Sequence, residues 1–232
     1  MKLVYSQNIK GFFMKKTQLM IAVFLFAATT LTASTTVTVE QALDLLKKGN
    51  ERFVKLKPVN IDYDKQIAHT KDGQHPFVAI LSCMDSRVPP EIIFDQGIGN
   101  VFVVREAGNV ISPASLGSLE YAVNVKKVAL VVVLGHSGCG AVAAAVEGTA
   151  LGAYKNLEHL INQIKPAVHQ KNCSDNLYQC TEKNNIKLSI TEMLVNSPAI
   201  AEAVKSKSVK IIGAYYDIAT GIVTFDKKFS YN

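Results

Sequence analysis

Two short strings hold the residues best suited to chemistry: Cys83-Met84-Asp85-Ser86-Arg87 and, further along the chain, His136-Ser137-Gly138-Cys139. Two thiolates and one imidazole are a natural donor set for a catalytic Zn²⁺, with a fourth position left for water or a carboxylate. Zinc there would keep both cysteines deprotonated and bring the pKa of a bound water to about 7, making a hydroxide nucleophile available near neutral pH. A closed structural site usually carries two Cys/His knuckles, whereas here one knuckle is joined by a lone cysteine followed by an acid and a base. Asp85 and Arg87 lie two apart, so in an extended segment they point the same way. A bidentate pair would fix the carboxylate and keep it ionised. One oxygen could then orient the zinc-bound water; without the arginine, Asp85 becomes a conditional fourth zinc ligand.

The elements that must carry these strings are legible as apolar runs. Residues 77–82 precede the first string and 128–134 the second, which places the polar groups at the carboxyl ends of two buried strands, the ligand-binding edge of open parallel sheets. Residues 101–104 form another continuous apolar strand, and 209–216 with 222–225 predict a hairpin around 217–221. Thr38 and Gln41 predict a capping box opening a helix over 38–56, with Ala42, Leu45, Leu46 and Phe53 at helical spacing. Further helices are predicted over 115–124, 138–148, 157–168, 186–195 and 198–205, with a loop over 60–76. The N-terminus of the 138–148 helix should face His136 and Cys139, where backbone N–H groups favour a thiolate. Strands alternating with helices predict a single α/β domain, residues 34–232, with a mainly parallel sheet of four to five strands and an antiparallel strand at one edge.

Residues 1–33 do not belong to that core. Lys15 and Lys16 precede an apolar stretch over 19–31 and small residues around Ala33 and Ser34, the pattern of a secretory signal peptide and hence of a periplasmic protein. An uncleaved anchor is the alternative, but the run is short for a span of about 20 residues. The chain carries 25 Lys and Arg against 19 acids, a net charge of +6. Four of those lysines and none of the acids lie in the leader, so the remainder falls to +2. No basic patch interleaved with aromatics remains, which argues against nucleic acid as a partner. Cys173 and Cys180 sit in a polar stretch over 171–185, where an exported protein could close a small disulfide loop or leave two free surface thiols.

Cys-x-Asp-x-Arg followed by His-x-x-Cys, each after a strand, resembles the β-class carbonic anhydrases, and the similarity runs from about residue 45 to 225. The resemblance implies a zinc lyase hydrating CO₂ to bicarbonate, one zinc per subunit, built as a homodimer of α/β subunits or a homotetramer. Carried over by position, Cys83, His136 and Cys139 are the metal ligands and Asp85 with Arg87 the catalytic dyad. Gln96 matches a glutamine of the CO₂ pocket, and Tyr121 a pocket aromatic reaching toward the partner subunit, with apolar neighbours such as Val101 or Phe102. A subclass moves its aspartate onto zinc at low pH, with bicarbonate held by a Trp, an Arg and a Tyr. Arg105 and Tyr216 match two of those positions, but Ile80 stands where the Trp would be and Ser82 replaces the glycine before the cysteine. The escape site is therefore expected to be absent, with Asp85 staying on Arg87. Glu106 replaces the Asn commoner after that Arg. Competing readings are CS₂ or COS hydrolysis on the same fold, a metal-free Cys83–His136 thiol hydrolase, and a non-catalytic zinc-binding scaffold. The intact Asp85/Arg87 pair argues against the last.

Overall fold

The computed structural model describes residues 37–150, 152–168, 173 and 176–231; the expected leader and His169 lie outside them. Five strands form one sheet: β1 (Val78–Ser82), β2 (Val101–Arg105), β3 (Leu130–His136), β4 (Lys210–Tyr216) and β5 (Val223–Tyr231), in the order β2-β1-β3-β4-β5. The first four are parallel and β5 runs antiparallel to β4. β1 and β3 are buried along their whole length, as continuous Val/Ile/Leu runs require when both faces are covered.

Alternate residues of the strands feed two cores. On one face, α1 (Val39–Val54) and the short α3 (Pro90–Ile93) bring Ala42, Leu46 and Ile93 onto Val78, Ile80, Leu130 and Val132. On the other, α4 (Pro113–Glu120) runs into a π-helical turn, Tyr121–Val125. There α4, α7 (Leu177–Asn196) and α8 (Pro198–Lys205) set Leu119, Ile186, Ile190 and Ile200 against Ala79, Leu81, Val131 and Val133. A third cluster joins α5 (Gly140–Glu147) and α6 (Lys155–Val168) to Cys83 and Cys139.

The expected strands and helices are present, with several differences, among them a β5 that runs on to Tyr231 beyond the expected 222–225. Thr38 and Gln41 do form the capping box of α1, but Leu45 points outward and is 41% exposed. The 60–76 stretch contains a helix, α2 (Tyr63–Thr70), opened by the Asp62 side chain accepting from the Lys65 N–H. It buries no residue, so it carries no apolar period to read. β3 runs on to His136, which is therefore the last residue of the strand. Finally, α7 begins at Leu177 rather than near Ile186, because its first turns bury polar groups: Thr181, Glu182, Asn184 and Asn185.

That early start places Cys180 on α7, where it is disulfide-bonded to Cys173 across a Cα–Cα distance of 5.5 Å. Asn184 Nδ2 donates to the Ala167 carbonyl of α6 (3.2 Å) and lies 3.4 and 3.6 Å from the two sulfurs. Among the described residues no helix is long and apolar enough to cross a membrane.

Candidate metal centre and active site

β1 has β2 on one side and β3 on the other, so the strand order reverses at β1. A crevice outside the carboxyl ends of the strands at such a switch point is where open α/β sheets bind ligands. Ser82 of β1 is in register with Leu134 of β3, so Cys83 and His136 emerge side by side at that crevice. Cys139 follows through a tight turn in which Gly138 takes φ 67°, a left-handed conformation that glycine adopts without strain, and it stands immediately before the first residue of α5. All three are buried, and one ligand atom from each lies within 4.8 Å of the others.

His136 Nδ1 lies 3.0 Å from the Ser137 carbonyl. A carbonyl only accepts, so Nδ1 carries the proton and Nε2 is left as a lone-pair donor. Nε2 is buried with no hydrogen-bond partner among the described residues, as a metal ligand would be. The loop is fixed on both sides: Ser137 N–H donates to the Tyr216 carbonyl (3.0 Å), and Ser137 Oγ accepts from the Ile218 N–H (3.0 Å). Cys83 Sγ accepts from the backbone N–H groups of Gly108 (3.3 Å) and Asp85 (3.4 Å), a setting that favours thiolate.

The two sulfurs bias each other's ionisation in opposite directions. Cys139 donating to Cys83, helped by His136 and the two N–H groups, outweighs burial and pulls the Cys83 pKa down. The same contact, together with burial, pushes Cys139 up against the N–H groups of Val142 and Ala141 at the start of α5. Burial opposes charge on His136, but the Cys83 sulfur outweighs it and the ring's pKa is raised. A divalent cation seated among them would displace those protons. Donor types, burial and the orphaned nitrogen all fit zinc.

Asp85 points away from the sulfurs onto Arg87, as expected. The guanidinium, above all, and the Arg87 N–H hold its carboxyl down to about 2. Arg105 braces the strand end, its Nε donating to the Cys83 carbonyl (3.0 Å) and its Nη2 to that of Asp85 (2.5 Å). Glu106 Oε1 accepts from Ser112 Oγ (2.7 Å) beside the start of α4, a physical use for the residue that departs from the family pattern. His69, His75 and His159 are exposed.

The sequence matches the carbonic anhydrase family over residues 78–223, from the start of β1 to the start of β5, a span holding both strings. Carbonic anhydrase 2 of Mycobacterium tuberculosis is 41% identical over 186 residues, covering 76% of this chain and 87% of that one. The chain belongs to the β-class carbonic anhydrase family. The carbonic anhydrase of Mycolicibacterium smegmatis is 36% identical over 182 residues, covering 77% and 88%. A β-carbonic anhydrase of Aspergillus fumigatus superposes with a TM-score of 0.63 at 27% identity, covering 81% of this chain and 90% of that one. One from Sordaria macrospora, described as tetrameric, gives 0.61 at 27% identity, covering 72% and 86%.

Against this family frame, the residues expected at a CO₂ pocket separate. Gln96 and Val101 line one cavity of about 620 Å³ together with Phe53, Pro58, Ile92 and Ile98. Tyr121 is half exposed and meets Phe102 edge-on, with ring centroids 6.2 Å apart, on the opposite face of the sheet. Val101 and Phe102 are consecutive in β2, so they point to opposite faces, and one chain does not line a single pocket with all four. Sequence reasoning missed Glu182, whose carboxylate accepts from the N–H groups of Gly138 (2.7 Å) and Cys139 (3.3 Å). It also missed Asn185, which donates to the Gly108 carbonyl (2.6 Å). Both lie in a stretch whose polar composition reads as solvent-facing.

Proposed function

We propose that this chain is a zinc-dependent enzyme that hydrates CO₂ reversibly to bicarbonate and a proton. One observation carries the reading: two sulfurs and an unpartnered imidazole nitrogen converge beside a carboxylate that an arginine holds off them. Zinc held by Cys83, His136 and Cys139 supplies the Lewis acidity that brings a water's pKa to about 7. Asp85, ionised and held by Arg87, would accept a hydrogen bond from the nucleophile and so orient its lone pair toward the carbon of CO₂. Gln96 is assigned to the CO₂ pocket through its cavity beside β2, and Tyr121 to a pocket that a partner subunit completes.

Two wider assignments belong to the same reading. The assembly is a homodimer or homotetramer, supported by exposed Leu56, Ile61 and Ile92 around the Gln96 cavity. The protein is exported to the periplasm and loses residues 1–33, supported by the basic and apolar pattern there and by a disulfide, which persists in oxidising compartments. N-terminal sequencing from the native host should start near Ser34; recovery of an intact terminus in the cytoplasm would reject export. Stopped-flow CO₂ hydration by purified protein, with zinc measured by atomic emission on the same sample, tests the activity. Zinc near one per chain with rapid hydration supports the reading, and zinc-replete protein without hydration rejects it.

A further inference from the structure

The face that α7 turns toward the metal centre is polar and buried. Glu182, Asn185 and Ser189 recur at the three- and four-residue spacing that lines one side of a helix, with exposures of 5%, 1% and 3%. Each meets a segment next to a metal ligand. Glu182 Oε1 accepts from the N–H groups of Gly138 and Cys139, while its Oε2 accepts from the Tyr215 hydroxyl (2.6 Å). Asn185 donates to the carbonyl of Gly108, whose N–H donates in turn to Cys83 Sγ. Ser189 Oγ accepts from Asn109 Nδ2 (3.1 Å), the next residue of that turn. The helix is pressed against β3 beside His136: a Cβ placed on Gly135 would stand 2.6 Å from Ile186 Cγ1.

We infer that Glu182 and Asn185 are positioning residues that fix the two sulfur ligands relative to each other from one turn of a single helix. Glu182 holds the backbone on which Cys139 stands, and Asn185 holds the carbonyl of the glycine whose N–H bonds to Cys83. Neither touches substrate. The inference rests on the zinc reading above and adds to it the part that keeps the ligand set closed. Buried charge-assisted bonds from a carboxylate to backbone amides are short and strong, which suits a frame that must hold its shape. Groups that orient metal ligands typically change metal affinity by about 10- to 100-fold when removed.

The test is the rate at which the zinc-loaded full chain yields its metal to an excess of a chromogenic chelator. Glu182→Ala and Asn185→Ala should each release zinc at least roughly tenfold faster than wild type. Glu182→Gln keeps an oxygen acceptor for the two amides and should return the rate most of the way. Leu46→Ala, in the core on the opposite face, should lower the melting temperature and leave the release rate alone. Unchanged release from folded Glu182→Ala and Asn185→Ala would overturn the inference, as would an equal acceleration in Leu46→Ala. Should Glu182→Ala fail to fold, Tyr215→Phe removes only the hydroxyl on Oε2; faster release there supports the role and an unchanged rate counts against it. Wild-type protein that holds no stoichiometric zinc would instead sink the zinc reading itself, and the inference with it.

Discussion

Arg87 grips both oxygens of Asp85: its backbone N–H and Nε donate to Oδ1, each at 2.9 Å, and Nη2 donates to Oδ2 at 2.6 Å. The same Nη2 reaches the Gly138 carbonyl at 3.1 Å, so the pair ties the first ligand string to the second. Arg87's side chain is 53% exposed, and ion pairs of that kind contribute little to stability. Arg87→Ala should therefore leave the melting temperature and zinc content near wild type. Its kcat for CO₂ hydration should fall by on the order of 10²-fold, the scale of a misplaced reacting group. A rate kept within a few-fold would refute the dyad role.

Cys83→Ser, His136→Ala and Cys139→Ser should each lose most bound zinc and unfold at lower temperature, since metal binding and folding are linked. Atomic emission on the purified variants checks this. Near-stoichiometric metal in any one of them would show that residue to be misassigned.

Acid sensitivity should come in part from Asp95. Burial raises its pKa, but Arg52 Nε (2.5 Å) and the N–H groups of Val59 and Asn60 outweigh it and hold the carboxyl below its ordinary range. A lowered folded pKa gives stability that is present above the unfolded value and is lost as pH falls through the folded one. Asp95→Asn should destabilise by about 2 kcal/mol at pH 7, the scale of a bond to a charged group. In denaturant titrations across pH, the gap to wild type should narrow below about pH 4. A gap of constant size would mean that the charge is not its source.

Replacing both Cys173 and Cys180 by Ser should cost about 2 kcal/mol, the chain-entropy value for so short a loop. Zinc-loaded wild type and the double variant, compared in urea, give the number. No difference would show that the α6–α7 junction is held by packing and by Asn184 alone.

The metal-binding strings were legible because cysteine, histidine and a paired acid and base are rare together, and because buried parallel strands leave uninterrupted runs such as 130–134. The frame behind them was not. Glu182 and Asn185 look solvent-facing by type, and only the fold reveals that backbone amides and carbonyls absorb their polarity. α2 went unread for the opposite reason, since a helix that buries nothing has no periodic signal. Gln96 and Tyr121 matched by position, yet the alternation of Val101 and Phe102 along β2 sets them on different sides of the sheet.

The bond between Cys173 and Cys180 also settles a contest. Four cysteines allow three full pairings, and only one of these keeps Cys83 and Cys139 from bonding to Cys173 or Cys180. The native partners stand seven residues apart. The separation between Cys83 and Cys139 is about eightfold longer, and closing a loop of that size is roughly twentyfold less probable in a flexible chain. An unfolded polypeptide meeting an oxidant therefore reaches the α7 crosslink first by proximity alone. Once formed, that crosslink removes Cys173 and Cys180 as disulfide partners for Cys83 and Cys139.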